Sequence, residues 1–98
     1  MIRRIVATRL KAEHQPDREL LAARARAFLS SLPLVQTVEV GLPADAACER
    51  SWDLVFLIGL ADQAALDAYQ AHEGHRAWVA EVMAPVTEVK KVWNFDVG

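Results

Sequence analysis

The sequence predicts an α+β fold: a four-stranded antiparallel sheet with two helices packed on one face. Three observations carry that prediction. The hydrophobic period switches along the chain in the order strand, helix, strand, strand, helix, strand, which is the split βαβ (βαββαβ) pattern of ferredoxin-like folds. The segment WDLVFLIGL (52–60) is apolar on both faces, although two helices can cover only one. The chain has 98 residues, 53% of them hydrophobic and 24% charged, the composition of one globular domain (1–98) with a thin core.

IRRIVATRL (2–10) is β-branched and apolar with polar interruptions, and predicts the first strand. EHQPDRE then marks a boundary, with Pro16 in the first helical turn and Asp17 and Glu19 where the helix dipole favours acids. Leu21, Ala25, Phe28 and Leu32 form one apolar stripe on a helix that ends at Pro33. LVQTVEVGL (34–42) predicts a second strand, with Leu34, Val38, Val40 and Leu42 on one face. PADAACER (43–50) is the longest loop, expected to be exposed and mobile. In 52–60, Trp52, Leu54, Phe56 and Ile58 share one face, and Val55 and Leu57 the other. Asp62 is the N-cap of a second helix whose buried stripe starts with Ala65, Leu66 and Tyr69. Glu73-Gly74 interrupts it, glycine costing about 1 kcal/mol in a helix interior. His75, Trp78, Val79 and Val82 then continue on one side until Pro85. TEVKKVWNFDV (87–97) predicts the last strand, with Val89, Trp93, Phe95 and Val97 on one face.

The two-faced third strand requires a cover that the chain itself lacks. A second copy packed sheet to sheet supplies it with closed twofold symmetry, so a homodimer with a barrel-like core is expected.

The remaining composition narrows the function classes. Formal net charge is −2 and no block of like charge exceeds two residues, which argues against a nucleic-acid footprint. No apolar run approaches the roughly 18 residues of a membrane span. Thr8 and Arg9 interrupt the apolar part of the N-terminus, so no signal sequence is expected there. Cys48 is the only cysteine, which excludes an intrachain disulfide and suits a reducing compartment. A cytoplasmic location is expected.

The chemistry concentrates in YQAHEGH (69–75), where Tyr69, His72 and His75 recur at three-residue steps. His-x-x-His on a helix supplies two metal ligands, but a catalytic zinc needs a third, and His14 and Cys48 lie in distant loops. HEGH is also not HExxH. Neither a metal nor a cofactor is expected.

IRRIVATRLK, VEVGL, WDLVFLIGL and above all YQAHEGH resemble the stress-responsive A/B barrel domain (Dabb) proteins over nearly the whole chain. That family reads tyrosine, two residues, His-Pro-x-His at this place, and has a proline before the last strand, here Pro85. The resemblance implies a dimeric α/β barrel. His-Pro is His72-Glu73 here, so the helix break falls to Gly74, and the histidine many members carry on the first strand is Arg4. Some members resemble plant polyketide cyclases, in which the motif's tyrosine and second histidine do acid–base chemistry. By position these are Tyr69 and His75, the candidate catalytic residues.

Such a pair suits proton transfer. Histidine titrates near neutrality, and a phenol in an apolar pocket polarises a carbonyl oxygen. Arg4 adds a fixed cation for a carboxylate or an enolate. Arg4, Val6, Phe28, His72 and Trp78 are the expected ligand-binding residues around Tyr69 and His75. Three functions remain open: a protein binding a small aromatic or keto-acid compound, a cyclase-like or cofactor-free oxygenase-like enzyme, and a purely structural stress protein.

Overall fold

A computed structural model describes all of residues 1–98. Strand β1 (Ile2–Leu10) leads through a 3₁₀ segment (Ala12–Asp17) into helix α1 (Arg18–Ser30). Strand β2 (Thr37–Gly41), the short helix α2 (Ala46–Glu49) and strand β3 (Leu54–Leu60) follow. Helices α3 (Gln63–Ala71) and α4 (Glu73–Trp78) continue through a π-helical turn (Val79–Met83) and a 3₁₀ turn (Ala84–Val86) into strand β4 (Thr87–Asp96). The strands form one sheet in the order β2-β3-β1-β4, with every pairing antiparallel. This is the four-stranded antiparallel, α+β architecture the sequence predicts.

Alternation decides what each strand buries. On β1, Ile2, Arg4, Val6, Thr8 and Leu10 are buried and face the helices. Leu54, Phe56, Ile58 and Leu60 of β3 join them, with Leu21, Ala22, Ala25 and Leu29 of α1 and Leu66 and Tyr69 of α3. Burying each large aliphatic side chain stabilises the fold by about 1.5–3 kcal/mol. Asp62 caps α3 as expected, its Oδ1 accepting from the Ala65 N–H at 2.9 Å.

The other sheet face is open. Register aligns Ile5 with Leu57 and Trp93, Ala7 with Val55 and Lys91, and Arg3 with Phe95. Trp93 is 42% exposed and Phe95 51%, so an aromatic band lies bare on the subunit.

Several expectations need correction. Strand β2 starts at Thr37, because Leu32 to Val35 turn back on themselves through the Val35 N–H to Leu32 carbonyl bond. Leu42 lies past the end of β2 and is exposed. The 43–50 loop contains α2, capped by Asp45, whose Oδ1 accepts from the Cys48 N–H at 2.8 Å. Trp52 precedes β3 and lines a groove with Ala7, Leu42 and Val55 rather than joining Leu54 and Phe56. Leu29, not Phe28, is the deepest α1 residue on that turn. Pro16 lies in the 3₁₀ segment, and α1 begins at Arg18.

One buried group was missed. Asp53 is fully buried, accepting from the Leu10 N–H at 2.7 Å and pairing with Arg18 at 2.5 Å. It ties the ends of β1 and β3 to the start of α1.

Candidate functional site

The break between α3 and α4 builds the site. His72 is extended (φ −64°, ψ 121°), and its Nδ1 accepts from the His75 N–H at 3.1 Å, capping α4. Gly74 lies inside α4, and a Cβ there would come within 2.9 Å of the His72 ring. Glycine at this position therefore admits the capping imidazole. The helix break itself falls at His72, which corrects the assignment to Gly74. The cap presents His75 one turn into α4, facing Tyr69 near the end of α3. Their ring centroids are 4.2 Å apart with planes tilted by 40°.

Arg4 enters from the sheet. Its guanidinium stands 5.6 Å from the Tyr69 ring centroid, and Nη1 donates to Asn94 Oδ1 at 3.0 Å. Only 8% of Arg4 is exposed, yet its Nε has no hydrogen-bond partner. His75 Nδ1 is likewise buried and unpartnered. Two buried polar atoms on neighbouring residues thus lack a partner from the chain, an uncommon and costly arrangement.

Beside them is a cavity of about 50 Å³ between sheet and helices. Arg4, Val6, Thr8, Leu29, Phe56, Ile58, Tyr69, His75, Trp78, Val79, Met83, Thr87, Lys90 and Val92 line it. The π-helical turn supplies Val79 and Met83. Of the residues expected around a ligand, Arg4, Val6, Tyr69, His75 and Trp78 are brought together here. Phe28 is not in the wall; it stacks behind Trp78, 4.8 Å between centroids and 9° from parallel, and holds that indole in place. His72 is not in the wall either, because the helix cap occupies its ring. Thr8, Met83 and Lys90 belong to the wall but carry no sequence signal beyond their strand or helix positions.

Burial and charge set the protonation states. Burial pushes the Tyr69 phenol up to about 12, with nearby Arg4 opposing it only in part. Burial, followed by the charges of Arg4 and Lys90 and by His72, lowers His75 to about 4. Burial also lowers Arg4 from its ordinary value. At neutral pH the site therefore holds a neutral imidazole, a protonated phenol and a guanidinium. No group of three His, Cys, Asp or Glu side chains is arranged to hold a metal ion. No helix is long and apolar enough to cross a membrane.

The chain belongs to the stress responsive A/B barrel domain family (Dabb), whose profile matches residues 2–97. Its structure is similar to a Dabb family protein with a ferredoxin-like fold from Mesorhizobium loti, with 26% identity, a TM-score of 0.81, and coverage of 99% of this chain and 97% of that one. It is also similar to a dimeric ferredoxin-like protein of unknown function from Thermobifida fusca, with 25% identity, a TM-score of 0.80, and coverage of 98% and 90%. A hydroxynitrile lyase from Passiflora edulis shares the fold at 16% identity, with a TM-score of 0.76 and coverage of 99% and 93%. Among curated proteins, none matches the sequence.

Proposed function

We propose that the protein is a homodimer whose subunits each bind a small organic compound, aromatic or a keto acid, in the cavity beneath Tyr69 and His75. The observation that carries this reading is the pairing of two unpartnered buried atoms, Arg4 Nε and His75 Nδ1, at one cavity. A ligand with acceptor oxygens satisfies both, taking one bond from the guanidinium and one from His75 in its Nδ1–H tautomer. The volume of about 50 Å³ is well below the roughly 300–1,000 Å³ of drug-sized sites. It favours a short keto acid over an aromatic ring, which would have to displace Trp78 or the Val79–Met83 turn.

The dimer reading rests on the open face of half-buried Ile5 and Leu57 beside exposed Trp93 and Phe95, which a second sheet would bury face to face. The Thermobifida fusca protein, described as dimeric, supports it.

Two of the three protonation states suit a catalytic reading. The Tyr69 hydroxyl donates to a developing oxyanion and Arg4 stabilises the negative charge, whereas His75, lowered to about 4, is a weak base that serves at neutral pH to orient the substrate. That set suits a cyclase-like, lyase-like or oxygenase-like step on a carbonyl compound.

A thermal-shift screen of wild type and His75→Ala against keto acids and aromatic acids tests the proposal. Saturation at 100 times the dissociation constant adds about 2.7 kcal/mol. A ligand that stabilises wild type but not His75→Ala supports the site. Equal stabilisation of both places the ligand elsewhere, and no stabilisation by any compound favours the structural stress protein.

A further inference from the structure

Outside the cavity lies a second, open cleft of about 460 Å³, lined by Arg4, Gln70, His75, Arg76 and Lys90 together with Val79 and Ala80. It shares Arg4, His75, Val79 and Lys90 with the inner cavity, so the two are adjacent. Neither wall contains a carboxylate, although the chain as a whole is net acidic. Three other arginines of the sheet and α1 have carboxylate partners: Arg3 faces Glu39, Arg9 faces Glu88, and Arg18 faces Glu49 and Asp53. Arg4 has only the neutral Asn94 amide, and its buried Nε has nothing. An almost fully buried guanidinium without a counter-charge is costly, and the cost falls when an anion arrives.

We infer that the ligand is an organic monoanion whose acid group sits between Arg4, Arg76 and Lys90 and whose short uncharged end enters the cavity against Tyr69 and His75. The inference rests on the proposed ligand site and adds its charge requirement and its orientation. Arg76 and Lys90 become specificity residues: they select the acid over its neutral analogues and set which end goes in first. Both are exposed, so replacing them disturbs no core packing.

The anion also changes His75. The groups facing that imidazole are Arg4 from β1, Tyr69 and His72 from the end of α3, and Lys90 from β4. A carboxylate among Arg4 and Lys90 offsets the field that disfavours the imidazolium. Binding of the acid therefore raises the pH at which His75 takes up its proton.

The test is a backbone-amide NMR titration at pH 7 with 2-oxobutanoate and its methyl ester, on wild type and on Arg76→Gln/Lys90→Gln. The acid should shift resonances around residues 70–80 and 90, and the ester should bind about tenfold more weakly or worse. The double variant should lose a similar factor for the acid and none for the ester, with unchanged thermal stability. Equal binding of acid and ester, or full binding of the acid by the double variant, overturns the charge requirement while leaving the cavity as a ligand site. Shifts confined to other surfaces overturn the placement. No shifts from either compound overturn this inference together with the keto-acid reading.

Discussion

Removing the Asp53 carboxylate should cost this protein much of its stability. The side chain is fully buried, and both oxygens are engaged, Oδ2 by the Leu10 N–H at 2.7 Å and Oδ1 by Arg18 at 2.5 Å. Asp53→Ala strands a backbone N–H at the end of β1, worth about 1–3 kcal/mol, and breaks a buried ion pair. Breaking such a pair costs about 3–5 kcal/mol in all. A domain of this size has about 5–15 kcal/mol to lose. Glu49 provides the control, because it also pairs with Arg18 but its side chain is 57% exposed, and Glu49→Ala should cost under about 1 kcal/mol. Asp53→Asn keeps an acceptor for Leu10 and should fall between. Urea unfolding at fixed protein concentration reads the difference. With a slope of about 1–2 kcal/mol/M, the midpoint of Asp53→Ala falls by about 1.5–5 M. Should Asp53→Ala lose no more than Glu49→Ala, the pair does not hold β1, β3 and α1 together as argued.

Other predictions follow from the site and the open sheet face. His72→Ala should lose the α4 cap and about 1 kcal/mol in thermal unfolding, while His72→Asn, a good capping residue, should keep most of it; equal losses would mean that the His72 ring does not stabilise the start of α4. Trp93→Glu should leave a folded monomer where wild type sediments as a dimer, and an unchanged sedimentation coefficient would put the dimer contact elsewhere. Folding lowers the His75 pKa to about 4 from 6.5, so the unfolded chain binds its proton first as pH falls. That contribution to stability is intact above about pH 6.5 and declines towards pH 4, by about 2 kcal/mol after allowance for the half-buried ring. His75→Gln should lack this part of the acid sensitivity, which the difference between its pH–stability curve and that of wild type measures.

The parts legible in the sequence are those with a local cause. β1 and β3 announce themselves through unbroken β-branched and aliphatic runs, and the α3 start through Asp62. The two-faced β3 pointed to an uncovered sheet face, and Ile5, Leu57 and Trp93 now mark it. Arg4, Tyr69, His75 and Trp78 could be grouped because the strand and helix periods set their faces. What escaped has a non-local cause. Asp53 is buried because of Arg18, 35 residues away, and nothing within WDLVF signals that partner. His72 looks like a ligand residue in YQAHEGH, but its ring serves the backbone three residues on. Phe28 has the right period for a wall residue, yet stacking on Trp78 places it one layer back. Arg76 and Lys90 read as ordinary surface charges until α4 and β4 meet at the same cleft.

His75 sits at the cavity beside Tyr69 and Arg4 as a neutral imidazole. An NMR titration of its imidazole nitrogens tests this most directly. A midpoint near pH 4 is expected, with the ring neutral throughout the physiological range. A midpoint at 6.5 or above would mean a solvated imidazole free of the Arg4 and Lys90 field, and would contradict both the buried site and the chemistry assigned to it.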